Sequence, residues 1–67
     1  MKCNSLKIKE LLFLKKIYQK DLAEESGLTE GTISRIILTQ RGKAESLRRI
    51  AKALDVPVEE IALESEV

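Results

Sequence analysis

Apolar side chains along this chain recur at helical intervals. Ile8, Leu11 and Leu12 mark one stripe; Ile33, Ile36 and Ile37 a second; Leu47, Ile50, Ala51 and Leu54 a third. Each set has the i, i+3, i+4 spacing that lines one face of an amphipathic helix, and no stretch alternates strictly, so no strand is expected. Turn and cap residues divide the pattern into five predicted helices. The first runs from about 5 to 16, with Ser5 as N-cap. The second covers 19–26 and stops at Gly27, a residue suited to the position after a helix. The third begins after Thr29, another N-cap, and reaches about 38. A polar loop over 39–43 leads into a fourth helix over about 44–54. Val56 and Pro57 break that helix, and Pro57 stands at or just before a short fifth helix ending near Leu63. The expected architecture is all-α with short loops. Phe13 and Leu14 widen the first stripe beyond what one small core needs. They either fill core against the fifth helix or form a dimer surface with Ile61, Leu63 or Val67.

Residues 19–36 read Gln-Lys-Asp-Leu-Ala-Glu-Glu-Ser-Gly-Leu-Thr-Glu-Gly-Thr-Ile-Ser-Arg-Ile. Two short helices meet across Gly27. Leu22 and Ala23 face inward, and Ala23 is small where a second helix must cross closely. Gly27 can take the positive φ that a turn of three or four residues between crossed helices requires. Leu28, Ile33 and Ile36 fill the wedge between the two helices. Each of these elements is weak by itself; their combination at this spacing is specific.

On these residues the chain resembles the helix-turn-helix domain of lambdoid phage repressors, Cro proteins and their bacterial relatives, the xenobiotic-response-element type. Gln19, Asp21-Leu22-Ala23, Gly27-Leu28-Thr29, Thr32-Ile33-Ser34-Arg35-Ile36 and residues 50–56 carry the resemblance, which spans about 8–61. It implies a lambda-repressor-like five-helix bundle that binds operator DNA, commonly as a dimer. One domain over 1–67 is expected, with 64–67 as a mobile tail.

At about 100° per residue, Ile33, Ile36 and Ile37 define the buried side of the third helix, about 30–38. Gly31 and Arg35 then point away from the core, Thr32 and Ser34 lie on the flanks, and Glu30 sits at the exposed tip. Recognition helices of this type present their N-terminal residues to base edges in the major groove. Thr29, Glu30, Gly31, Ser34 and Arg35 are therefore the candidate base readers. Arg35 suits a bidentate contact to guanine, or a phosphate, and Glu30 suits the cytosine amino group. Gly31 has two readings: close approach of the backbone to the groove, or a tolerated surface glycine. Gln19 sits where the second helix N-terminus aims free amides at a phosphate, and the resemblance also implies a phosphate contact for it. Arg41 and Lys43 follow the recognition helix as backbone clamps; Lys20 and Thr32 are weaker candidates. Arg48 and Arg49 are read as surface solvation.

Length and charge temper this picture. A chain of 67 residues buries little core. With one cysteine and no histidine it has neither an internal disulfide nor a zinc ligand set, so no cofactor or metal is expected. Cys3 reads as a reduced thiol without a role. Twelve basic residues against eleven acidic ones give no global attraction to DNA. The bases gather in the first three quarters, and Asp55, Glu59, Glu60, Glu64 and Glu66 make an acidic end. The longest apolar run, residues 11–14, is too short to cross a bilayer, and no signal-peptide stretch is visible. A cytoplasmic location is expected, with no membrane partner. No nucleophile–base pair, metal set or phosphate-cradling loop points to an enzyme, and no second domain points to a small-molecule effector.

Four departures from the family pattern stand out. Many relatives carry Arg at the position of Leu12 and Glu at that of Ile37, an ion pair between the first and third helices. Both are apolar here, which implies a paired replacement with Leu12 packed near Ile37. Tyr18 replaces the usual Ser or Thr before Gln19, so an N-cap is lost. Thr39 stands where relatives often have Gly, with Gly42 three residues later. Glu24, Glu25 and Glu30 make the motif acidic. The expected function is sequence-specific transcriptional regulation on double-stranded DNA, as a homodimer on a palindromic operator. An antitoxin that also binds a toxin protein, and a restriction–modification controller, belong to the same class. The alternative is a protein-interaction module that kept the fold and lost DNA binding.

Overall fold

The computed structural model describes residues 1–63; the tail expected over 64–67 and the dimer candidate Val67 lie outside the described residues. Four α-helices follow one another: α1 (Ser5–Lys15), α2 (Gln19–Ser26), α3 (Glu30–Thr39) and α4 (Ala44–Ala53). The fifth helix expected after Pro57 is only one 3-10 turn, Val58–Glu60. Beyond it, residues 61–63 pair with residues 2–4 instead of continuing the helix, as described below.

The helix ends show how the sequence sets the elements. The cap of α1 is Asn4, not Ser5: its Oδ1 accepts from Lys7 N at 3.1 Å, while Ser5 is the buried first helical residue. Tyr18 offers α2 no side-chain cap of its own. Asp21 compensates from three residues on, its Oδ2 accepting from Tyr18 N at 3.1 Å. Thr29 caps α3 as expected, its Oγ1 accepting from Thr32 N at 3.1 Å. Four left-handed residues end the four helices: Lys16, Gly27, Gln40 and Asp55. Only one of them is glycine. Behind Lys16, Gly27 and Asp55 the next N–H reaches back to Leu12, Ala23 and Ala51 carbonyls, each at 3.0 Å, the doubled bonding of a Schellman turn.

One core gathers the three stripes. Ile8, Leu11 and Leu12 of α1 meet Leu22 and Ala23 of α2, Ile33, Ile36 and Ile37 of α3, and Leu47, Ile50 and Ala51 of α4. Helix α2 packs on both α3 and α4, and α1 packs on α3. Leu12 and Ile37 are both buried within this cluster, so the two positions that carry charges in many relatives are apolar core here. Phe13 is 82% exposed, which removes it from the core. It lies across α1 from the Ile8–Leu11–Leu12 stripe and shares a face with Leu6, seven residues earlier. Ile61, the other half of that expectation, is fully buried.

The N-terminal residues form a strap that the helical pattern did not reveal. Cys3 N donates to Gln40 O at 3.0 Å and Gly42 N to Met1 O at 3.0 Å; on the other side Asn4 N donates to Ile61 O at 2.7 Å and Leu63 N to Lys2 O at 3.0 Å. The strap therefore lies between the loop after α3 and the segment after the 3-10 turn. Its two antiparallel pairings, Lys2 with Arg41 and Cys3 with Ala62, are isolated bridges, and the described residues contain no strand. Cys3 is fully buried and belongs to the core, contrary to the reading of it as a thiol without a role. Burial raises its pKa, although a weak contact to the Ser5 hydroxyl works the other way. The protonated thiol contacts the Ile36 carbonyl at 3.8 Å.

Candidate nucleic-acid interface

The crossing of α2 and α3 is made by Gly27 and the residues beside it. Gly27 takes φ 75°, and Leu28 N closes back on Ala23 O at 3.0 Å. Leu28 is half-buried against the core, and Ile33 and Ile36 hold α3 from beneath. This arrangement leaves one whole face of α3 outside the protein. Thr29, Glu30, Gly31, Ser34 and Arg35 are all exposed, so the fold brings the five expected base readers onto one surface.

Their local chemistry differs. Thr29 is committed to the helix: its Oγ1 caps Thr32 N and donates to the Thr32 hydroxyl at 2.9 Å. Half-buried Thr32 is engaged by the same bond. Glu30 is the first residue of α3, where its carboxylate favours the helix dipole. Arg35 has no ion-pair or hydrogen-bond partner for its guanidinium among the described residues, which leaves its fork available. Gly31 has no positive φ, and a Cβ there would meet only Thr29 Oγ1 at 4.0 Å. Nothing within the protein requires glycine at this position. Gly42 differs: a Cβ there would press on Ile36 and Leu47 at 3.2–3.3 Å, so its role is packing.

Cations lie on the elements next to α3 in the chain. Lys20, Arg41 and Lys43 are exposed and make no ion pair among the described residues; Gln19 is half-buried at the start of α2. Arg49 instead pairs with Glu45 at 3.1 Å on α4, in keeping with its reading as a surface residue. Lys7 is likewise occupied, with Glu10 at 3.4 Å and Glu60 at 3.7 Å.

Two residues belong with this surface that the sequence reading passed over. Leu38 is 83% exposed and falls on the outward face of α3, three residues after Arg35 and seven after Gly31. Helical arithmetic at about 100° per residue places it there, although the apolar pattern marks it only as the helix end. Lys2 stands opposite Arg41 in the strap, a placement no local pattern announces.

An exposed helix set across a second by a tight turn, with free polar groups on its outer face, is a helix-turn-helix. The chain belongs to the Cro/C1-type helix-turn-helix DNA-binding domains, whose family profile matches residues 7–62. No curated protein and no solved structure matches it. Family membership makes DNA its partner and transcription regulation its field. Among the described residues no helix is long and apolar enough to cross a membrane.

Proposed function

We propose that this chain is a sequence-specific transcriptional regulator, a single domain that inserts α3 into the major groove of its operator. The observation that carries the reading is the outer face of α3. Glu30, Gly31, Ser34, Arg35 and Leu38 are exposed together on a helix whose inner face is locked by Ile33, Ile36 and Ile37. Arg35 reads guanine, Glu30 and Ser34 accept or donate at neighbouring base edges, and Leu38 meets a thymine methyl. Gly31 lets the backbone approach the base edges. Thr29 orients the helix tip through its cap. Gln19, Lys20, Thr32, Arg41 and Lys43 hold phosphates on either side and set the register. The domain acts as a homodimer on a palindromic operator, with recognition helices about 34 Å apart, one DNA turn. Exposed Leu6, Phe13 and Leu63 support a second copy as the cover for apolar surface.

Selection of bound sequences from a random duplex pool tests this reading. It reports the operator, its symmetry and the half-site spacing together. Replacing Arg35 by Ala then relaxes preference at one position per half-site; uniform weakening on all sequences would make Arg35 a phosphate anchor. A second reading, a protein-interaction module that kept the fold and lost DNA binding, draws on the net charge of +1 and the exposed apolar residues. Titration with duplex at low salt separates them, since a DNA binder shows steep salt dependence and a protein-only module binds no duplex.

A further inference from the structure

Lys2 and Arg41 face each other across the antiparallel bridge between the strap and the loop after α3. The two bonds that flank the pair, Cys3 N to Gln40 O and Gly42 N to Met1 O, make it a non-hydrogen-bonded pair. That is the arrangement in which opposed side chains approach most closely, with Cα atoms about 4.5 Å apart, and both project from the same face. The direction of that face follows from the neighbours. Cys3, next to Lys2, is buried in the core, and a Cβ on Gly42, next to Arg41, would strike Ile36 and Leu47. Alternation along extended backbone therefore turns Lys2 and Arg41 outward, and both are exposed.

Like charges directly opposed across a bridge destabilise it. Neither cation has an acidic partner among the described residues, although Lys7 and Arg49 elsewhere on the surface do. Lys43 adds a third charge two residues along the loop. A fold that holds two unneutralised cations side by side, next to the C-terminal end of its exposed helix, is preorganised for an anion. We infer that Lys2 and Arg41 together form a phosphate-binding clamp for the DNA backbone beside the end of α3, with the strap supplying half of it. This rests on the DNA-binding reading and adds to it a residue outside the helix-turn-helix.

The test measures affinity for the selected duplex against salt concentration in Lys2→Gln, Lys2→Glu and Lys52→Gln. The last removes an equal charge from the far end of α4. One phosphate contact contributes about 0.9 to the slope of log affinity against log salt, so its loss weakens binding roughly eightfold at 0.1 M relative to 1 M salt. Lys2→Gln is expected to show that change on every duplex, and Lys52→Gln is not. Lys2→Glu places opposite charges across the bridge, so its melting temperature is expected to rise while its DNA affinity falls further. A slope for Lys2→Gln equal to that of Lys52→Gln overturns the clamp and leaves DNA binding standing. A lowered melting temperature in Lys2→Glu overturns the opposed placement. Absence of any duplex binding by the unaltered chain at low salt overturns both the clamp and the reading beneath it.

Discussion

Replacing Gly31 by alanine separates what the fold asks of this position from what DNA asks. A Cβ at residue 31 meets nothing closer than Thr29 Oγ1 at 4.0 Å, and the residue has no positive φ. Alanine is favoured over glycine in a helix by roughly 0.5–1 kcal/mol. Gly31 is the second residue of α3, so its N–H has no carbonyl within the helix to bond. The lower end of that range, about 0.5 kcal/mol, therefore applies. In a domain of this size 1 kcal/mol moves Tm by about 4–8 °C, so the variant should melt about 2–4 °C higher. On DNA the close approach proposed for Gly31 reverses the sign. A methyl group between α3 and the groove holds the helix away from the base edges, and losing one base contact costs about 1–3 kcal/mol. Affinity for the operator should then fall about 5- to 150-fold. Far-UV circular dichroism melts and fluorescence anisotropy with the selected duplex read the two effects separately. A lower Tm would refute the open space around Gly31. A higher Tm with unchanged Kd would refute close approach and leave Gly31 as a tolerated surface residue.

Three other perturbations test the framework that holds this face. Leu12→Arg buries a charge without a partner, at a cost of about 3–5 kcal/mol; adding Ile37→Glu should restore part of the loss in Tm, and a single variant that melts like the parent would show that Leu12 is not core. Lys16 holds φ 57° at the end of α1, so Lys16→Gly should raise Tm by a few degrees, up to about 1 kcal/mol of relieved strain, unless α1 ends differently in solution. The raised thiol pKa of Cys3 means that the folded chain holds the proton more tightly than the unfolded one. The stability it contributes is intact below the unfolded thiol value of about 8.5 and declines as pH rises through the folded value. Cys3→Ala should therefore lose stability less steeply with rising pH in that range; parallel pH profiles would show that the thiol does not titrate on unfolding.

The parts of the fold that sequence made legible are those set by neighbours a few residues apart. The three stripes, Thr29 as cap and Gly27 as turn depend on spacing within one or two helical turns, and the structure places them accordingly. What escaped depends on distant backbone. The strap has too few residues to show alternation, and its partners are loops nearly 40 and 60 residues away. Its consequences escaped with it: the burial of Cys3 and the pairing of Lys2 with Arg41. Phe13 shows a different limit. Of its two expected places, core or dimer surface, its 82% exposure removes the first; five residues after Ile8 it has already rotated to the far side of α1. Lys16 and Asp55 show a third limit. Without glycine they gave no sign of the left-handed turns that end α1 and α4.

The net charge of +1 argues less against DNA binding than it first suggests. At about 0.1 M salt, interactions between exposed charges fade over about 10 Å. A duplex docked on α3 as proposed therefore responds to the charges around that helix more than to the sum. Several acids elsewhere are occupied: Glu45 is paired with Arg49, and Glu10 and Glu60 with Lys7. The cations beside α3, Lys20, Arg35, Arg41 and Lys43, have no such partners among the described residues. Against them stand exposed Glu24, Glu25 and Glu30, which repel phosphate wherever they are not opposite a donor. In the proposed docking of α3, that condition makes Glu30 a source of selectivity. Placed against a cytosine amino group, its carboxylate gains a hydrogen bond. Placed against a carbonyl edge, it is left unpaired and costs more than a neutral residue would. On the proposed reading, a surface poor in surplus charge gives up affinity shared by all sequences, and an acid at the helix tip penalises the wrong ones, so both features would shift binding from strength toward discrimination.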